Sequence, residues 1–100
     1  MIKHIVMWNL AGDTPQRNRE ACLFLKERFE GLAGSIPGLL KVEVGVDISR
    51  IDYACDVVLY TEFESAQALA AYAVHPEHLR VKEELGNSRI ARHQVDYEIS

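Results

Sequence analysis

Ile2 to Asn9 alternate as a strand does: Ile2, His4, Val6 and Trp8 point one way, and Lys3, Ile5, Met7 and Asn9 the other. Both sets carry bulky apolar groups, which predicts a strand covered on both faces. The pattern then changes period. Cys22, Leu25, Phe29 and Leu32 recur at spacings of three and four, the stripe of an amphipathic helix. Thr14 or Asp13 can cap that helix, Pro15 suits its first turn, and Gly34 can close it in a left-handed conformation. Pro37 and Gly38 fit a type II turn. Leu40, Val42, Val44, Val46 and Ile48 then alternate with Lys41, Glu43, Gly45 and Asp47, predicting a strand with one apolar face that lies at an edge or over a wetter surface.

Asp56 to Phe63 is rich in strand-forming residues and reads as a third strand. Ser65 can cap a helix through Val74. Pro76 disfavours helical geometry at His75, so that helix stops and a second segment runs from Pro76 to about Leu85. Gly86–Ser88 break it, and Ile90 to Ile99 form a last strand. The order is βαββαβ with a split second helical region. It predicts an α+β, ferredoxin-like domain with a four-stranded antiparallel sheet and helices on one face. The opposite sheet face also carries apolar groups. A twofold homodimer closing two such faces into an α+β barrel would cover it.

Composition narrows the function. One domain spans residues 1–100, and a chain of this size buries about 65% of its unfolded surface. The net charge of −4, with scattered basic residues, argues against nucleic acid and against an anionic membrane surface. The apolar part of the opening segment is interrupted by Lys3 and His4, and no run approaches a membrane span, so a cytoplasmic protein is expected. Cys22 and Cys55 fit no metal spacing. They read as small hydrophobes in a reducing compartment, with a disulfide as the alternative.

The candidate chemistry lies in the segment Tyr72-Ala-Val-His75-Pro76-Glu-His78. His78, Val81 and Leu85 share a helical face, so His78 heads the buried side, where Tyr72 can meet it across the Pro76 break. An imidazole and a phenol facing one cavity are the parts of an acid–base pair. The structural alternative is a hydrogen-bonded His78 beneath the helices. His75, preceding proline, reads as a cap. His4 shares its strand face with Val6 and Trp8, and Asp96 alternates with Val95 and Tyr97 on the last strand, which pairs with the first. Asp96 can therefore reach the same side and orient His78, or serve as a structural tie. His75 and His78 have no third ligand of sure geometry, so no metal is expected.

The stretches IKHIVMW, IPGLLKVEVG, YACDVVLYTEFES, YAVHPEHL and VDYEI together resemble the stress-responsive A/B barrel (Dabb) family over nearly the whole chain. The resemblance implies a dimeric α+β barrel of ferredoxin-like protomers, and no cofactor is expected, the member cyclase working without one. Members include stress-associated plant proteins and a polyketide cyclase. Carried over from that cyclase, Tyr72 and His78 are catalytic and Asp96 holds the catalytic histidine; His4 matches its early-strand histidine. The cyclase's pocket tyrosine on the first helix corresponds to Phe29 here, which removes one polar group. The resulting expectation is a homodimer binding a small apolar or aromatic molecule between sheet and helices. His4, Trp8, Phe29 and Val81 would line the site, and His78, Tyr72 and Asp96 would form the catalytic set. The alternative is a non-catalytic stress-response dimer whose histidines only tie helices to sheet.

Overall fold

Strand β1 (Ile2–Leu10) runs through the middle of the sheet and sets the two environments of the molecule. A computed structural model describes residues 1–99. Ile2, His4, Val6, Trp8 and Leu10 of β1 are all buried beneath the helices, while Lys3, Ile5, Met7 and Asn9 alternate onto the opposite face. β1 pairs antiparallel with β3 (Val57–Phe63) on one side and β4 (Arg89–Glu98) on the other, and β2 (Leu39–Val46) flanks β3. The order β2-β3-β1-β4, with helices crossing between strands, is the predicted ferredoxin-like sheet, and β2 lies at an edge, one of the two placements its alternation allowed.

Helix α1 (Pro15–Glu30) begins where Thr14 Oγ1 accepts from the Arg17 amide at 3.1 Å. It ends at Glu30, capped by Gly31, and the left-handed Gly34 lies in the turn that follows rather than at the helix end itself. Cys22, Leu25 and Phe29 are buried on its inner face, with Leu32 just beyond. Two side chains of α1 also satisfy the free edge of β2: Lys26 Nζ donates to the Val44 carbonyl at 2.7 Å, and Glu30 Oε2 accepts from the Val44 amide at 3.0 Å. An edge strand so covered is a poorer template for stray pairing.

Two expectations for β2 are corrected. Leu40 does not take the inward position. A register shift between Leu39 and Lys41 makes it the extra residue of a bulge, 56% exposed, and Leu39 packs on the core in its place. Ile48 is 95% exposed because the strand has ended. Asp47 accepts from Ser49 Oγ and from the Arg50 amide, a local turn that draws the chain off the sheet.

Helix α2 (Ala66–Ala73) is capped by Ser65 Oγ, which accepts from the Ala68 amide. Helix α3 (Pro76–Leu85) is capped by His75, whose Nδ1 accepts from the Glu77 amide at 3.1 Å. His75 therefore has the capping role read from its place before proline. The inner faces of all three helices and the sheet share one core centred on Leu25, Phe29, Leu59, Phe63 and Val81. Gly38, at φ 81°, leads into β2 so close to α2 that a Cβ there would lie 2.5 Å from that of Ala68. Cys22 is buried and Cys55 half-buried, and both are free thiols. Among the described residues, no helix is long and apolar enough to cross a membrane.

Candidate functional site

The helices leave a cavity of about 430 Å3 between α2, α3 and the β1–β4 half of the sheet. Its floor is apolar: Val6 and Trp8 from β1, Leu59 from β3 and Phe29 from α1. Trp8 and Phe29 stack with centroids 5.5 Å apart, which fixes both rings. On the helical wall, the α2–α3 break brings the last turn of α2 against the first turn of α3. Tyr72 and His78 meet there with ring centroids 4.1 Å apart and planes inclined by 28°. Both line the cavity.

His78 is held by the backbone. Its Nδ1 lies 3.2 Å from the Ala73 carbonyl, to which it can only donate. In the neutral ring this leaves Nε2 as the unprotonated nitrogen, the one available to a ligand. Burial lowers its pKa from the ordinary histidine value, opposed by the Ala73 hydrogen bond and aided by the positive charges of Lys82 and Arg89. A neutral His78 at neutral pH follows. Tyr72 shifts the other way: burial pushes its phenol well above the ordinary value, so it stays protonated. Among the described residues its hydroxyl has no hydrogen-bond partner. The site thus pairs a free base with a free donor.

Asp96 is placed differently from expectation. On β4 it lies opposite His4 of β1, and its Oδ1 is 2.5 Å from His4 Nδ1. It does not hold His78. The reason is register: facing residues of adjacent strands are the ones in reach, while His78 is on a helix and already bonded to Ala73. Asp96 is instead the end of a polar row, with Gln94 Nε2 donating to Asp96 Oδ2 at 3.0 Å and Arg92 Nε donating to Gln94 Oε1 at 3.1 Å. His4 lies beside the pair, its ring 6.1 Å from that of Tyr72. His4, Trp8 and Phe29 all line the cavity as expected. Val81 does not; it is fully buried in the core, packed away from the opening.

The sequence reading missed the cationic side of the site. Lys82 lines it from α3, and Arg89, Arg92 and Gln94 line it from β4. The signal was present for two of them. Arg92 and Gln94 share the period-two face of Asp96, and they sit opposite Trp8 and Val6 in the sheet. Among the described residues no group of three or more metal-ligating side chains is assembled.

A ferredoxin-like protomer with an apolar cavity between sheet and helices, and a histidine and a tyrosine on its wall, belongs to the class of small α+β barrel proteins. The model of one family, the stress responsive A/B barrel domain (Dabb), matches residues 2–99. The chain is a member of the Dabb family. A dimeric protein of unknown function from Bacteroides fragilis NCTC 9343 is 32% identical to it, with a TM-score of 0.86 over 98% of this chain and 95% of that one. A dimeric ferredoxin-like protein from Jannaschia sp. CCS1 is 27% identical, with a TM-score of 0.76 over 98% of each chain. The hydroxynitrile lyase of Passiflora edulis shares the fold at 14% identity, with a TM-score of 0.80 over 99% of this chain and 93% of that enzyme. No curated protein sequence matches the chain.

Proposed function

We propose that the protein is a homodimer in which each protomer binds a small, largely apolar carbonyl compound in this cavity. His78 acts as general base on the carbon next to the carbonyl, and the Tyr72 hydroxyl donates a hydrogen bond to the carbonyl oxygen. One observation carries the reading: His78 Nδ1 is tied to the Ala73 carbonyl, which leaves Nε2 unprotonated in a cavity wall that also presents the unpartnered Tyr72 hydroxyl.

The chemistry follows from the two groups. His78 Nε2 removes a proton and the C–H electron pair forms an enolate, whose oxygen the Tyr72 hydroxyl stabilises. If the enolate carbon attacks a second carbonyl of the same molecule, a C–C bond forms, and the alkoxide takes back the proton from His78. No redox partner is needed. The lyase that shares the fold is an enzyme of small molecules, which supports a ligand of that size.

The dimer rests on the outer sheet face. Ile5 and Met7 of β1 lie opposite Val95 and His93 of β4 there, with Val58 and Tyr60 of β3 alongside. Met7, Val95 and Tyr97 are 38%, 51% and 41% exposed in the single chain. Two similar chains that are dimeric support the homodimer, and this face is the one we assign to it. The two free thiols fit a cytoplasmic setting.

A second reading, a non-catalytic stress-response dimer, is favoured by the His4–Asp96 contact and the His75 cap, which both tie elements together. The two readings separate on binding of 4-phenylbutan-2-one, followed in amide and indole 15N spectra. The binding reading predicts saturable shifts confined to Trp8, Tyr72, His78 and their neighbours. Absence of shifts at millimolar ketone sinks it and leaves the scaffold.

A further inference from the structure

The cavity has a charge asymmetry that neither the base nor the donor explains. Lys82 from α3 and Arg89 and Arg92 from β4 converge on its open side. Among the described residues, none of the three forms an ion pair with a carboxylate, whereas Arg17, Lys26, Arg28, Arg50 and Arg80 all do. Among the described residues, the only acidic side chain in the lining is Asp96, and His4 already occupies its Oδ1. Three cations thus gather without counter-ions on a chain whose net charge is −4.

The arginines are also held in place. Their guanidinium carbons lie 5.8 Å (Arg89) and 6.0 Å (Arg92) from the centre of the Trp8 ring, the same ring that floors the cavity. Gln94 accepts from both Nε and Nη2 of Arg92 and orients its fork. Arg89 is partly buried, and its pKa is lowered by burial and by the charge of Arg92 beside it. Like charges brought together at that cost are relieved by a bound anion. A second concavity of about 400 Å3 shares Trp8, Lys82, Arg89 and Arg92, so the cations stand where the apolar cavity opens outward.

We propose that the ligand of this cavity is an amphipathic acid: an apolar or aromatic body on Trp8 and Phe29, and a carboxylate held by Arg89, Arg92 and Lys82. This rests on the binding reading above and adds its substrate class, a keto acid rather than a neutral ketone. Arginine forks match a carboxylate bidentately, and an orienting charge at one end would set which carbon faces His78.

Calorimetric titration with two probes tests it, 4-oxo-4-phenylbutanoate and its neutral amide, 4-oxo-4-phenylbutanamide. The acid should bind at least about tenfold more tightly. That gap should shrink in high salt and collapse in Arg92→Met, an exposed position whose change leaves the core untouched. Equal affinity for acid and amide overturns the carboxylate site and leaves the cavity reading standing. A preference for the acid that survives Arg92→Met together with Arg89→Met overturns the assignment to these residues. Failure of both probes to bind at millimolar concentration overturns the cavity reading and this inference with it.

Discussion

The imidazole of His78 lies nearly parallel to the phenol ring of Tyr72, 4.1 Å from it between centroids, across the break that Pro76 makes between α2 and α3. The contact explains the split in the second helical region. A continuous helix would place the two residues six apart, on different faces. The proline stops α2, His75 caps the new helix, and the first turn of α3 swings His78 back over the last turn of α2. The same break frees the Ala73 carbonyl region to fix the ring's tautomer.

Tyr72→Phe keeps the ring stack and removes only the hydroxyl. Because that hydroxyl has no hydrogen-bond partner among the described residues, urea unfolding should change by less than about 1 kcal/mol. Affinity for a carbonyl ligand should fall, while affinity for the matching hydrocarbon should not. A large stability loss would assign the phenol to the scaffold.

The pH behaviour of His78 has a definite sign. Its folded pKa lies below the ordinary 6.5, so as pH falls through 6.5 the unfolded chain takes up a proton before the folded one. The stability it contributes is therefore present above pH 6.5 and is lost as pH falls toward the folded pKa. Histidine side-chain NMR should show His78 titrating below 6.5, and a His78→Asn variant should lose that part of the acid destabilisation. A His78 that titrates above 6.5 would remove the neutral base from the account.

Asp96→Ala leaves the buried His4 ring without its partner and should cost about 1–2 kcal/mol in urea unfolding, less than a fully buried pair because Asp96 is partly open to solvent. The titration of His78 should barely move, since its Nδ1 is bonded to Ala73. If Asp96→Ala clearly shifts the titration of His78, the placement of Asp96 on His4 alone is wrong.

The sheet face opposite the helices gives the dimer its test. Met7 and Val95 are solvent-accessible in the single chain, so Met7→Glu with Val95→Glu should leave the protomer folded. Sedimentation should then show a monomer where the parent chain is a dimer, because burying four carboxylates across a twofold axis is unfavourable. An unchanged dimer would place the interface elsewhere.

Most of the fold was legible because period and punctuation agree. β1 alternates strictly, so His4, Val6 and Trp8 fell on one common face without knowledge of any partner strand, though both faces carry apolar groups and alternation alone did not say which is inner. Ser65, Thr14 and the His75-Pro76 pair mark helix starts by the chemistry of unpaired amides. What was hidden depends on register and depth. The inner face of β4 is polar because it meets a cavity, so Arg92, Gln94 and Asp96 resemble a solvated face. Helical spacing put Val81 on the buried side of α3 but not at which depth, and it lies fully buried in the core rather than at the cavity. The bulge that exchanged Leu39 for Leu40 leaves no mark in the alternation, because both positions are leucine.

The most direct test of the central claim is exchange of the carbonyl-adjacent protons of 4-phenylbutan-2-one in D2O, followed by proton NMR at neutral pH. The account predicts that the protein accelerates exchange beyond buffer and beyond equimolar free imidazole. It also predicts that His78→Ala abolishes the acceleration and Tyr72→Phe reduces it by about tenfold or more, with both variants folded by circular dichroism. Exchange no faster than free imidazole, or an acceleration that survives His78→Ala, would contradict it.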